Sequence, residues 1–101
     1  MIAEFSIIPV GKDESLAELV AKIVDIIDVS GLPYKLTAMG TLVEGEWDDI
    51  HELIKECHFM MKRYSSRVMT FISIDDREGA KGRLEGKVED VENILGRELK
   101  K

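Results

Sequence analysis

The hydrophobic period of this chain switches repeatedly between two and three-to-four, and the order of those switches limits the folds open to it. Ala3, Phe5 and Ile7 fall on one face of residues 2–9, with Glu4 and Ser6 on the other, as in a half-buried strand. Pro9 and Gly11 end that run. Leu16, Leu19, Val20, Ile23, Val24 and Ile27 then recur at helical spacing. Ser15 and Glu18 form a capping-box pattern, with Asp13 and Glu14 placed to suit the positive helix start. Gly31 stands where a left-handed stop is wanted, so the spacing predicts a helix over 15–29.

A second extended stretch starts at Pro33 and Tyr34, where Tyr34, Leu36 and Ala38 alternate with Lys35, Thr37 and Met39. Gly40 interrupts it before a third strand over Thr41 to Glu44. The residues Met39 to Thr41 read either as a hairpin turn or as a bulge in one long strand. Trp47, Ile50, Leu53, Ile54, Cys57, Met60, Met61 and Tyr64 form the stripe of a second helix. Its start carries acids, and Lys62, Arg63 and Arg67 follow its end, as the helix dipole favours. A fourth strand covers Arg67 to Asp75, and a last helix carries Leu84, Val88, Val91, Leu95 and Leu99. Gly82 and Gly86 weaken the first turns of that helix.

The sequence-predicted fold is therefore α+β: a ferredoxin-like β-α-β-β-α-β sandwich with an extra C-terminal helix, as a single domain over 1–101. Such a sheet leaves one face bare. Here that face carries Glu4 and Ser6 with Ile2 and Ile8, and Thr37 with Met39, a mixture suited to a partner subunit, a ligand or both.

Charge narrows the partners. Of 101 residues, 14 are Lys or Arg and 20 are Asp or Glu, a formal net charge of −6. That balance disfavours nucleic acid and anionic membrane surfaces, which need a basic field. No apolar run approaches the roughly 18–20 residues that span a bilayer. The first residues lack the charged region and cleavage site of a signal peptide. One cysteine, Cys57, permits no internal disulfide, and the expected location is cytoplasmic.

Little here suggests catalysis. His51 and His58 are seven apart on one helix, about 10 Å along its axis, too far for one metal ion. Cys57 lies on the apolar stripe and reads as a small buried hydrophobe. Asp75-Asp76, at a strand end, reads as a solvated loop that caps the next helix or, alternatively, as a Mg²⁺ site or an acid–base pair. There is no phosphate loop, dinucleotide fingerprint or nucleophile elbow. Met39, Met60, Met61 and Met69 read as core filler. Glu44-Gly45-Glu46-Trp47 reads two ways. Trp47 is either a staple beside helix-start carboxylates or a stacking platform beside Glu44 for a cationic or heteroaromatic ligand. Thr41 adds a hydroxyl that donates or accepts.

Several blocks also resemble one known family. They are Ser30-Gly31-Leu32-Pro33-Tyr34-Lys35-Leu36, Met39-Gly40-Thr41, Glu44-Gly45-Glu46-Trp47-Asp48, Arg67-Val68-Met69-Thr70, Ile74-Asp75-Asp76-Arg77 and Lys87-Val88-Glu89-Asp90-Val91-Glu92. Their order is similar to that of the small thiamine-binding family (YkoF-like), from Pro9 to Leu95. Departures are Pro33 and Cys57-His58-Phe59, the latter where many relatives look Ala-His-Glu. The resemblance implies a ferredoxin-like fold, homodimers assembling into homotetramers, and binding of thiamine or its hydroxymethylpyrimidine half without catalysis and without a cofactor. It places Thr41, Glu44 and Trp47 at the ligand, with Tyr34 and Thr37 nearby. The expected pocket is an apolar slot with hydroxyls from Ser6, Thr37 and Thr41, a carboxylate from Glu44, and Trp47 or Tyr34 stacking. The alternatives are a structural or regulatory oligomer without a ligand, and a small acid–base enzyme using Asp75 and Asp76.

Overall fold

A computed structural model of the chain describes residues 1–11 and 16–100. The elements run β1 (Ile2–Pro9), α1 (Leu16–Ser30), β2 (Tyr34–Leu36), β3 (Thr41–Glu44), α2 (Trp47–Met61), β4 (Val68–Asp75) and α3 (Arg83–Leu95). The capping box at Ser15, with Asp13 and Glu14, lies outside the described residues. Gly31 ends α1 with φ +79°, the left-handed stop expected of it.

The four strands form one sheet in the order β2-β3-β1-β4, all pairs antiparallel. This is the ferredoxin-like arrangement. A helix carries β1 to β2, and β3 slots back between them. Along β1, Ala3, Phe5, Ile7 and Pro9 are buried and the residues between them are not. Their neighbour Val43 on β3 is fully buried as well. Two helices cover this face. α1 buries Leu19, Ile23 and Ile27, and α2 buries Ile50, Leu53, Ile54, Cys57 and Met61. The thiol of Cys57, sealed among them, is pushed up to about 12 by burial, with the Glu56 charge adding to it. His58 Nδ1 lies 2.6 Å from Thr70 Oγ1 and ties α2 to the same side of β4.

The opposite face carries Ile2, Glu4, Ser6 and Ile8, as expected, and Met69, Phe71, Ser73 and Asp75 beside them. It is bare except at one corner, where α3 crosses. Three residues of that face hold the helix. Glu44 accepts hydrogen bonds from the Arg83 and Leu84 N–H groups at 3.0 and 3.1 Å. Lys35 pairs with Glu85 at 3.4 Å, and Asp75 pairs with Lys87.

Four expectations need correcting. Thr37 and Met39 are not strand residues, because β2 stops at Leu36 and residues 37–40 turn tightly into β3. Met39 and Met69 are not core filler; Met39 is 86% exposed at the turn and Met69 lies on the bare face. Trp47 does not continue the buried stripe of α2. It is 52% exposed and stacks on His51, ring centroids 4.1 Å apart. The last helix stops at Leu95, with Gly96 at its end, so Leu99 lies beyond it, and α3 buries no residue completely. The radius of gyration is 15.1 Å, above the about 13 Å typical of this chain length.

Candidate functional site

The hairpin between β2 and β3 shapes the first cavity. β3 pairs with β1 only as far as Phe5 opposite Thr41, so the stretch from Ser6 onward has no neighbour on that edge among the described residues. Gly40 permits the close turn, since a Cβ there would sit 2.9 Å from the Phe5 carbonyl oxygen. The notch left beside β1 is closed from the helix side by Leu16, Val20 and Ile23 of α1, and from the hairpin side by Leu36, Ala38 and Met39. The result is a largely apolar slot of about 190 Å³.

Three of the expected residues, Ser6, Thr37 and Thr41, meet there. Their hydroxyls are not equivalent. Thr37 Oγ1 donates to the Gly40 carbonyl at 2.8 Å. It also accepts from the Met39 and Gly40 N–H groups at 3.2 and 3.1 Å. One proton and two lone pairs are all that a hydroxyl has, so Thr37 is fully occupied in holding the turn. Ser6 and Thr41, by contrast, have no side-chain hydrogen bond among the described residues, although Thr41 is only 5% exposed.

The other three expected residues lie elsewhere and do not line this slot. Glu44 is at the far end of β3 on the opposite face, where it clasps α3. Burial pushes its carboxyl up, but backbone N–H donors from Leu84, Arg83 and Gly82 prevail and hold it below the ordinary glutamate value. Trp47 faces solvent with His51. The Tyr34 hydroxyl donates to Asp28 Oδ1 at 3.0 Å, a bond that raises the Tyr34 pKa.

A second cavity, of about 140 Å³, lies under α3 and is lined by Met1, Ile2, Glu44, Asp75, Arg77, Ala80, Arg83 and Lys87. Sequence reading missed it. Its residues come from four separate stretches, and the spacing of 39 residues between Glu44 and Arg83 leaves no local pattern. Asp75, one of the two acid–base candidates, is here paired with Lys87. The bond from Lys87 and its charge hold the Asp75 carboxyl below the usual aspartate value. A carboxylate kept ionised in this way is a poor proton donor near neutral pH.

The family model for thiamine-binding proteins matches residues 3–92. The chain belongs to the thiamine-binding protein family. The UPF0045 protein MJ1052 of Methanocaldococcus jannaschii is 34% identical over 100 residues, covering 99% of this chain and 89% of that protein. The UPF0045 protein YqgV of Bacillus subtilis is 37% identical over 100 residues, covering 93% and 96%. The crystal structure of MJ1052 superposes with a TM-score of 0.81 at 33% identity, covering 89% of this chain and 93% of that one. A Thermotoga maritima protein proposed to serve thiamine biosynthesis or salvage superposes with a TM-score of 0.79 at 24% identity, covering 89% and 96%, and shares the fold. The chain itself builds one four-stranded antiparallel sheet with helices. Among the described residues no helix is long and apolar enough to cross a membrane.

Proposed function

We propose that this member of the thiamine-binding family is a non-catalytic, cytoplasmic, homo-oligomeric protein that captures thiamine or its hydroxymethylpyrimidine half. The observation that carries the reading is the slot beside β1, with its apolar walls and the hydroxyls of Ser6 and Thr41 left without partners among the described residues. An aminopyrimidine has a flat apolar body and an edge of ring acceptors and an amine donor. Hydroxyls serve both kinds of group. A volume of about 190 Å³ is below the ~300 Å³ at which drug-sized sites begin. It suits one ring, with the rest of a larger ligand left outside.

Glu44 has a different part in this reading from the one expected of it. Both its oxygens are engaged by α3, so it shapes the fold while Ser6 and Thr41 make the polar contacts. The homo-oligomer rests on β4, an edge strand of eight residues whose two faces expose Met69, Phe71, Ile72 and Ile74. Long apolar edges of this kind are ordinarily paired or covered.

Isothermal calorimetry with thiamine and with hydroxymethylpyrimidine tests the ligand. Saturable heat is expected, and Thr41→Val should weaken it by roughly 5–150-fold, the cost of losing one buried hydrogen bond of about 1–3 kcal/mol. No heat from either compound at high micromolar protein sinks the assignment.

A further inference from the structure

The cavity under α3 is independent of the slot and holds whichever ligand the slot takes. Along β1 the two are about four residues apart, roughly 13 Å, and they share no lining residue. In a chain of net charge −6, this cavity gathers Arg77, Arg83 and Lys87. Its two carboxylates are already engaged, Glu44 by the backbone of α3 and Asp75 by Lys87. The start of α3 is therefore not an open anion site, since Glu44 fills it. What remains are the guanidinium donors and, at the edge, the α-amino group of Met1. The Arg77 side chain has no hydrogen bond or ion pair among the described residues, although its carbonyl accepts from the Ala80 N–H at 3.0 Å and its charge acts on Asp75. Arg83 reaches Asp90 through Nη2 at 2.8 Å, yet its Nε is buried with no hydrogen-bond partner. A buried donor left unpaired is costly, and charged ones more so.

The mouth has the opposite sign. The depression that continues outward from the cavity is bordered by Glu46, Asp76 and Glu78, with Lys81 the added cation. A bare anion meets repulsion there; a molecule with a cationic far end does not. From these two layers of charge we infer that the cavity under α3 binds a small zwitterion, its oxyanion against Arg77 and Arg83 and its ammonium toward the Glu46, Asp76 and Glu78 rim. Guanidinium forks match both phosphate and carboxylate, so the shared chemistry is a terminal oxyanion.

Gly86 supplies a test that removes no charge. A Cβ at position 86 would lie 3.0 Å from Arg83 Nη1, so Gly86→Ala shifts the guanidinium by a few tenths of an ångström while improving helix propensity.

Amide NMR titration of the intact protein with phosphoethanolamine, β-alanine, inorganic phosphate and ethylamine separates the outcomes. Saturable shifts at Glu44, Arg77, Ala80 and Arg83 are expected with phosphoethanolamine, β-alanine or both. The better of the two identifies phosphate or carboxylate as the preferred head. Inorganic phosphate and ethylamine should bind more weakly. Arg77→Gln should reduce affinity by about tenfold or more, and Gly86→Ala by less, with the helical circular dichroism intact. Inorganic phosphate binding as well as either zwitterion, shifts spread over all surface cations, or an unchanged affinity in Arg77→Gln overturns the proposal. Failure here leaves the calorimetry of the slot untouched, because no residue is shared except through the strand that separates them.

Discussion

β1 and β4 are neighbours of equal length, eight residues each, paired along their whole extent. β1 buries four of its residues and β4 buries none. Their composition does not explain this, since Phe71, Ile72 and Ile74 are as apolar as Phe5 and Ile7. The difference lies in what rests on each face. α1 and α2 close over the inward face of β1, whereas only the start of β4 meets α2, through Val68 and the bond between Thr70 and His58. A strand of this kind has the surface that the proposed homo-oligomer would cover. Its apolar surface stabilises the chain only when something else covers it.

The strongest way to test that contrast is to truncate the two phenylalanines. Phe5→Ala should cost about 3–5 kcal/mol in denaturant unfolding, as core phenylalanines do. Phe71→Ala should cost the monomer far less, within about 0.5 kcal/mol of a surface substitution, and should instead shift sedimentation toward smaller species. A large monomer penalty at Phe71 would break the comparison. Gly40→Ala comes next. Its Cβ would press on the backbone carbonyl of Phe5, so a loss of about 1–3 kcal/mol is expected, together with weaker ligand uptake by the slot.

Glu44→Gln should have a smaller effect, about 1 kcal/mol, in line with the loss of a helix-start cap. Its pH dependence is the sharper signature. The Glu44 pKa is lowered on folding, so its stabilisation is complete above the ordinary glutamate pKa of about 4.3. It is lost as pH falls through the depressed native value. Unfolding experiments between neutral and acid pH should show wild type losing more stability than Glu44→Gln in that acid window. The smallest effect on stability concerns Cys57. With the thiol pushed up to about 12, a thiol reagent at pH 8 should label the native protein only at its opening rate and label the unfolded chain at once.

The period changes made the strand and helix order legible, because alternation and the three-to-four spacing are local. The hairpin between β2 and β3 was half legible, since Gly40 signals a turn and a bulge equally. The hydroxyl of Thr37 was misread for a related reason. As a strand residue it would face a ligand, whereas in the turn it bonds Gly40. Glu44 was the hardest to place. Next to Trp47 in sequence it looks like part of one site, yet its partners are Arg83 and Leu84. No pattern in a single chain marks contacts that distant. The exposure of β4 was equally hidden, because an apolar run broken only by Thr70 and Ser73 before Asp75 does not say which face is covered.

The clasp between Glu44 and α3 also bears on the order of events in folding. It closes a loop of about forty residues, and its acceptor exists only once β3 has joined the sheet. A helix of thirteen residues is marginal alone in water, so α3 should dock late and leave early. Hydrogen exchange should therefore find the amides of α3 opening at a lower free energy than those of β1. Substitutions along α3 should then speed unfolding without slowing the collapse of the sheet.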